Sequence, residues 1–123
     1  MPVLKPFHTI SFKHAFSGLS QTFYNQPNLR IHLTFAFLVL IAGIFFQVTR
    51  IEWLILLFTI MWVLISEMIN TVIEEICNLV SREYHTSIKI AKDVAAGMVL
   101  IGAFGAVIVG LVIFLPYIIQ YFM

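Results

Sequence analysis

The chain has 123 residues, of which 61% are hydrophobic and 11% charged, and its formal net charge is +1. Soluble domains contain roughly 45–50% apolar and about 25% charged residues, so this composition excludes an ordinary soluble domain. So small a positive charge gives no basis for a nucleic-acid partner. The single cysteine, Cys77, allows no internal disulfide. We therefore predict an all-α integral membrane protein with a single domain over residues 1–123.

Residues 9–25 are too short and too polar to span a bilayer. Phe12, Phe16, Leu19 and Phe23 recur at helical spacing, with polar side chains between them. This pattern predicts an amphipathic helix that lies on the membrane surface. The alternative is a helix packed against the rest of the protein.

Three later segments are long enough to cross a membrane, since a spanning helix needs about 20 mostly apolar residues. They cover residues 31–48, 53–80 and 94–119. A short turn at 49–52 joins the first two and makes them antiparallel. A polar loop at 81–93 joins the last two.

The positions of Lys and Arg predict the orientation of these segments, because cytoplasmic loops are enriched in both residues. One basic residue, Arg50, falls on the side of the short turn. Six fall on the opposite side, namely Lys5, Lys13, Arg30, Arg82, Lys89 and Lys92. We therefore expect the N-terminus and the 81–93 loop in the cytoplasm and the C-terminus outside.

Small residues recur at every fourth position of the last segment, at Gly102, Ala106 and Gly110. Such a face lets helices approach closely. It fits either a contact between subunits or ordinary packing within one chain. Because three spans make a thin bundle, we expect a homo-oligomer.

Polar residues interrupt the second apolar segment at Glu67, Asn70 and Glu74, which share one helical face. Glu67 lies about 21 Å along the helix from Trp53, at the depth of the hydrocarbon. An ionised carboxylate there costs about 3 kcal/mol, and such residues are usually functional. The structural alternative is a carboxyl group that is paired with His32 or held protonated.

This arrangement supplies the groups that phosphoryl transfer needs. A carboxylate and a carboxamide near the membrane surface could bind Mg²⁺ through oxygen. Lys92 could offset phosphate charge, and Glu67 could accept a proton from a hydroxyl group. These residues fit phosphoryl transfer to a lipid alcohol and, equally, small-molecule or proton transport. No G-x-x-x-x-G-K-[ST] motif occurs, which excludes a P-loop kinase.

Three motifs resemble the bacterial diacylglycerol kinase and undecaprenol kinase family: EMINTVIE at 67–74, REYH at 82–85 and AKDVAAG at 91–97. The resemblance extends from about Phe12 to Pro116. Two further motifs are more similar to the undecaprenol-using branch, NLRIH at 28–32 and IFLP at 113–116.

The resemblance implies an ATP- and Mg²⁺-dependent lipid kinase of the bacterial cytoplasmic membrane, with a surface helix, three spans and a trimeric assembly. It implies that Glu67 is the catalytic base and that Asn70 is its neighbour in the active site. Glu74 corresponds to a metal ligand that also borders ATP. Further nucleotide contacts are implied for His14, Glu83, Tyr84, His85, Lys92 and Asp93.

Two positions depart from the family pattern. Gln26 replaces a second metal-binding Glu, and Asn78 replaces an Asp that follows Glu74 by four residues. Both changes remove negative charge from one site. They are compatible with a weak kinase, with a kinase of altered metal handling, or with a binding protein that has lost catalysis. The acceptor, undecaprenol or diacylglycerol, stays open, because apolar side chains bind either lipid. His32 could form a hydrogen bond to Glu67 or Glu74 across the bundle, or lie at the headgroup level.

Overall fold

The computed structural model describes residues 12–123. Within that part of the chain the fold is all-α, as predicted. Its elements are α1 (Phe12–Asn25), α2 (Pro27–Phe46), α3 (Arg50–Val80) and α4 (Thr86–Phe122). Residues 12–25 of the predicted N-terminal helix are thus helical, whereas residues 9–11 lie outside the described part. Each of α2, α3 and α4 is long and apolar enough to cross a membrane.

The junction of α1 and α2 depends on Gln26, Pro27 and Arg30. Pro27 is the first residue of α2, where its fixed φ and missing N–H suit a helix start. The Arg30 guanidinium donates to the carbonyl oxygens of Tyr24 at 3.0 Å and Phe23 at 3.4 Å. Those carbonyls belong to the last turn of α1 and have no partner within that helix. The side chain of Arg30 therefore fixes the point at which α1 turns into α2.

The turn between α2 and α3 is earlier and tighter than the predicted 49–52 segment. Gln47 adopts a left-handed conformation with φ of 53°, and its N–H closes the end of α2. Thr49 then caps α3: its hydroxyl accepts from the backbone N–H of Glu52, and the Glu52 carboxylate accepts from that of Thr49. This is a capping box, so Arg50 already lies in the helix.

Close packing holds α2 and α3 together at their turn, and one hydrogen bond and a shared core attach this turn to the far end of α4. Trp53 packs so tightly on Gly43 that a Cβ at Gly43 would lie 2.5 Å from the indole ring. The Tyr117 hydroxyl donates to Oε1 of Glu52. A hydrophobic core fills this end, with Val48, Leu56 and Ile113 buried at its centre. We refer to it as the turn end of the bundle.

The opposite end, which we call the connection end, joins α3 to α4 through residues 81–85 only. The predicted polar loop over 81–93 is therefore wrong for residues 86–93, which form the first turns of α4. The segment contains neither Gly nor Pro, and Lys89 and Asp93 form an ion pair at the favourable i,i+4 spacing. Polarity alone does not stop a helix that has no breaker and extends beyond the membrane.

α3 has 31 residues and α4 has 37, lengths of about 46 and 56 Å at 1.5 Å per residue. Both exceed the ~30 Å thickness of a hydrocarbon core. Gly102 packs against α3 within the chain, since a Cβ there would lie 3.4 Å from Oγ of Ser66, whereas one at Gly110 would meet open space. Close packing within the chain therefore accounts for Gly102, but not for Gly110, in the small-residue face.

Candidate active site

Glu67 lies on α3, and its side chain is only 1% exposed. Within the described residues, neither oxygen of its carboxylate has a hydrogen-bond partner. Nε2 of His32, on α2, lies 3.6 Å from Oε2 of Glu67, a charge-pair distance rather than a hydrogen bond. The structure thus places His32 beside Glu67 across the bundle, but without the hydrogen bond that the sequence suggested. Because buried polar atoms normally have partners, these oxygens are candidates for contact with a substrate.

Asn70 and Glu74 continue the same face of α3 towards the connection end. Nδ2 of Asn70 donates to Oε1 of Glu74 at 3.2 Å, which confirms that the two side chains share a face. Asn70 is buried and Glu74 is half-buried. Oδ1 of Asn70 has no partner within the described residues. Polar atoms therefore extend from the buried Glu67 to a half-exposed carboxylate.

Two lysines on the first turns of α4 make different contacts. Nζ of Lys92 donates to Oδ1 of Asn78 at 2.8 Å, across the two helices. Nζ of Lys89 contacts Oδ2 of Asp93 at 2.5 Å, and both side chains are more than half exposed. The connection end therefore presents Lys92 next to a neutral amide and Asp93 next to a cation.

The connection itself is organised by Ser81. Its hydroxyl accepts from the backbone N–H of Glu83 at 3.1 Å and lies 3.2 Å from Nε2 of His85. The side chains of Glu83, Tyr84 and His85 are exposed. These three predicted nucleotide contacts are thus available at the surface, and the structure does not bring them against Glu74.

Neither His14 nor Gln26 makes a side-chain hydrogen bond to the α3 face within the described residues. His14 is exposed on α1. Gln26 precedes α2 and is half-buried, and its side chain makes no capping hydrogen bond. No hydrogen bond joins Gln26 to Glu74 among the described residues. The predicted second metal ligand is therefore near the start of α2 but not engaged with the first.

Residues 12–123 contain no group of three or more His, Cys, Asp or Glu side chains placed to hold a metal ion. Mg²⁺ in kinases, however, is usually held by one or two carboxylates together with water and substrate phosphates. The carboxylate of Glu74 and the unpartnered Oδ1 of Asn70 are oxygen donors of this kind. These residues fit a Mg²⁺ ion that arrives with a phosphate ligand.

An apolar cleft of about 330 Å³ lies between α2, α3 and α4. Its walls are almost wholly hydrocarbon and include Phe35, Val63 and Ala106. His32 also lines it, so the cleft meets the Glu67 carboxylate through this one side chain. The sequence does not predict this cleft, because the pattern of its lining residues is that of ordinary packing positions. The histidine just inside the first apolar segment was the available signal.

The sequence can be compared with those of known proteins. The sequence model described as "Prokaryotic diacylglycerol kinase" matches residues 13–114. The chain belongs to this family. The resemblance carried by the three motifs is thereby confirmed. With its three apolar helices, the chain is a membrane protein of this family.

Several relatives of the prokaryotic diacylglycerol kinase family carry lipid kinase names. A diacylglycerol kinase of Synechocystis sp. is 41% identical over 108 residues, which are 87% of this chain and 62% of that protein. An undecaprenol kinase of Bacillus subtilis is 39% identical over 106 residues, 86% of each chain. A diacylglycerol kinase of Escherichia coli is 28% identical over 95 residues, 77% of this chain and 78% of the relative. This chain thus spans less than two thirds of the Synechocystis protein's length.

Proposed function

We propose that this protein transfers the γ-phosphoryl group of ATP to the hydroxyl group of a membrane lipid alcohol. The observation that carries the proposal is the position of His32, which lines the apolar cleft and lies 3.6 Å from the Glu67 carboxylate. A lipid chain in the cleft would bring its hydroxyl end to the one deeply buried carboxylate of the described residues. The names of the relatives, diacylglycerol kinase and undecaprenol kinase, support a lipid alcohol as acceptor.

Glu67 acts as the general base in this proposal. The lipid O–H bond breaks and its proton passes to the carboxylate of Glu67 while the lipid oxygen forms a bond to the γ-phosphorus. The bond between that phosphorus and the β,γ-bridging oxygen breaks, and ADP leaves. Positioned bases contribute about 10²–10⁴-fold to such steps. Both oxygens of Glu67 are free to accept the proton, because neither has a partner within the described residues.

Glu74 and Asn70 would hold Mg²⁺ in this proposal, with Gln26 in place of the usual second carboxylate. Bound Mg²⁺ supplies positive charge to the ATP phosphates. An amide oxygen at Gln26 could serve as a ligand but would bring no charge, so Coulomb attraction for the metal would be weaker than with a carboxylate. We therefore expect a higher requirement for Mg²⁺ than in a variant with a carboxylate at this position.

The nucleotide lies at the connection end in this proposal. Lys92, Asp93 and Glu74 surround its phosphates and ribose, and four exposed side chains border the remainder, namely His14, Glu83, Tyr84 and His85. Exposure of these side chains supports the assignment, since ATP enters from water. The buried Asn70 lies between the nucleotide and Glu67, next to the reacting groups.

The connection end faces the cytoplasm in this proposal, and the C-terminus lies outside. ATP is available only on the cytoplasmic side, where Lys and Arg are concentrated. α1 lies on the inner membrane surface, because Phe12 and Phe16 are exposed on a helix with no buried residue. The large apolar surface of the spans is covered by lipid and by further copies of the chain. The family resemblance suggests three copies.

The experiment is a transfer assay on the full chain in a lipid bilayer, with γ-labelled ATP, Mg²⁺ and either undecaprenol or diacylglycerol. The proposal predicts label in the extracted lipid with at least one acceptor, and which acceptor is labelled identifies the substrate. The Gln26→Glu variant should reach half-maximal rate at a lower Mg²⁺ concentration. No labelled lipid from either protein, or proton flux into liposomes without ATP, would contradict the proposal.

A further inference from the structure

We infer that Asn78 is a positioning residue that holds the Lys92 ammonium group for the phosphates of ATP. The inference rests on the proposed function. Asn78 lies in the last turn of α3 and Lys92 in the second turn of α4, on either side of the 81–85 connection. Their side chains meet at 2.8 Å between Oδ1 and Nζ. This contact ties the cation to the same helix that carries Glu67, Asn70 and Glu74.

The chemistry of the contact leaves Lys92 able to bind an anion. An ammonium group has three N–H donors, of which Asn78 engages one. The amide is neutral, so it fixes the lysine without cancelling its charge. Lys89 provides the contrast, because its ammonium group is paired with the carboxylate of Asp93. Of these two lysines, Lys92 is the one whose charge is free for a phosphate.

Burial points to the same lysine. Among the Lys and Arg side chains of residues 12–123, Lys92 alone is half-buried, and the others are exposed, namely Lys13, Arg30, Arg50, Arg82 and Lys89. A lysine stem has four rotatable bonds, and ordering it costs up to about 2 kcal/mol of conformational entropy. Because Asn78 already orders the Lys92 side chain in the free protein, less conformational entropy is lost when the nucleotide binds.

The role of Asn78 depends on an oxygen acceptor at this position. Leu at position 78 has a similar size but offers no acceptor, and Lys92 would be released. Asp retains an oxygen at the same place. If Asn78 merely supported the fold, its substitution would weaken ATP binding whether or not Lys92 is present. A positioning residue acts only through its partner, so its substitution should matter only when Lys92 is present.

The test is a double-mutant cycle on ATP binding by the full chain in a bilayer, measured by equilibrium dialysis with labelled ATP and Mg²⁺. Asn78→Leu should raise the dissociation constant roughly threefold to tenfold, the worth of one hydrogen bond. In the Lys92→Met background the same change should have less than a twofold effect. Asn78→Asp keeps the oxygen acceptor but pairs the Lys92 ammonium with a carboxylate, as Asp93 does for Lys89, so it should weaken ATP binding mainly when Lys92 is present. Gln120→Leu, an exposed amide at the other end of α4, is the matched control and should bind ATP like wild type.

Equal effects of Asn78→Leu in both backgrounds would overturn the inference, as would equal effects of Asn78→Asp in both. The readout is binding and needs no lipid phosphorylation. A chain that shows the coupling but labels no lipid would therefore support Asn78 as the anchor of Lys92 and contradict the kinase proposal. If the chain labels lipid but the effects of Asn78→Leu and Lys92→Met on ATP binding are additive, the kinase proposal is supported and the role of Asn78 is contradicted.

Discussion

His32 on α2 and Glu67 on α3 are neighbours, with Nε2 of the histidine 3.6 Å from Oε2 of the carboxylate. The histidine ring also forms part of the wall of the apolar cleft. One side chain thus borders both a hydrocarbon surface and the most buried acid of the described residues. This is the arrangement that a lipid alcohol requires, because its chain needs an apolar surface and its hydroxyl needs a base.

We expect His32→Leu to lower kcat roughly tenfold, which is part of what a general base contributes, because the substitution removes a polar side chain that lies 3.6 Å from the Glu67 carboxylate. The dissociation constant for ATP should not change, since His32 is not among the proposed nucleotide contacts. Transfer rates at saturating ATP and lipid measure the first quantity, and equilibrium dialysis the second. His32→Gln, which keeps a polar side chain beside the carboxylate, is the control and should lose less activity. An unchanged kcat in His32→Leu would show that the contact between His32 and Glu67 does not contribute to catalysis.

Ala106→Phe should raise the KM for the lipid several-fold and leave ATP binding unchanged, because the larger ring fills a cleft of about 330 Å³. Val112→Phe introduces the same ring on α4 at an exposed position that does not line the cleft. It is therefore the matched control. Initial rates over a range of lipid fractions in the bilayer give the two KM values. Equal KM values for both variants would mean that the lipid chain binds elsewhere.

Gly43→Ala should destabilise the protein by about 1–3 kcal/mol, the usual range for overpacking. The new Cβ would lie 2.5 Å from the Trp53 ring, in the core of the turn end. Thermal unfolding in a bilayer or detergent measures the effect. Gly105→Ala is the control, because a Cβ at Gly105 meets nothing within 4 Å. Equal stability of the two variants would contradict the packing described for the turn end.

The sequence predicted the elements of this fold well where one local signal determined them. Long apolar segments indicated the three long helices, and the spacing of Asn70 and Glu74 placed them on one face. The helix boundaries were harder to predict. The Thr49–Glu52 capping box was present in the sequence, yet its polarity suggested a turn. Residues 86–93 suggested a loop for the same reason. Polarity reports exposure to water, and a helix that projects beyond the membrane is equally exposed.

Contacts between distant parts of the chain could not be predicted in the same way. The hydrogen bond between Asn78 and Lys92 depends on how the 81–85 connection returns α4 onto α3. The cleft depends on the spacing of three helices, and no single lining residue reveals it. From the sequence, Asn78 was a departure from a family pattern. The structure gives it a partner, and so a reason for an oxygen acceptor at this position.

The most direct measurement of the central claim compares phosphoryl transfer to lipid by wild type and Glu67→Gln, side by side in one bilayer preparation with labelled ATP. Gln keeps the size of the buried side chain but cannot accept the hydroxyl proton. We predict that the transfer rate falls by at least about 100-fold, the lower range for a general base, while ATP binding and thermal stability stay near wild type. A Glu67→Gln rate within tenfold of wild type would contradict the assignment of Glu67 as the base.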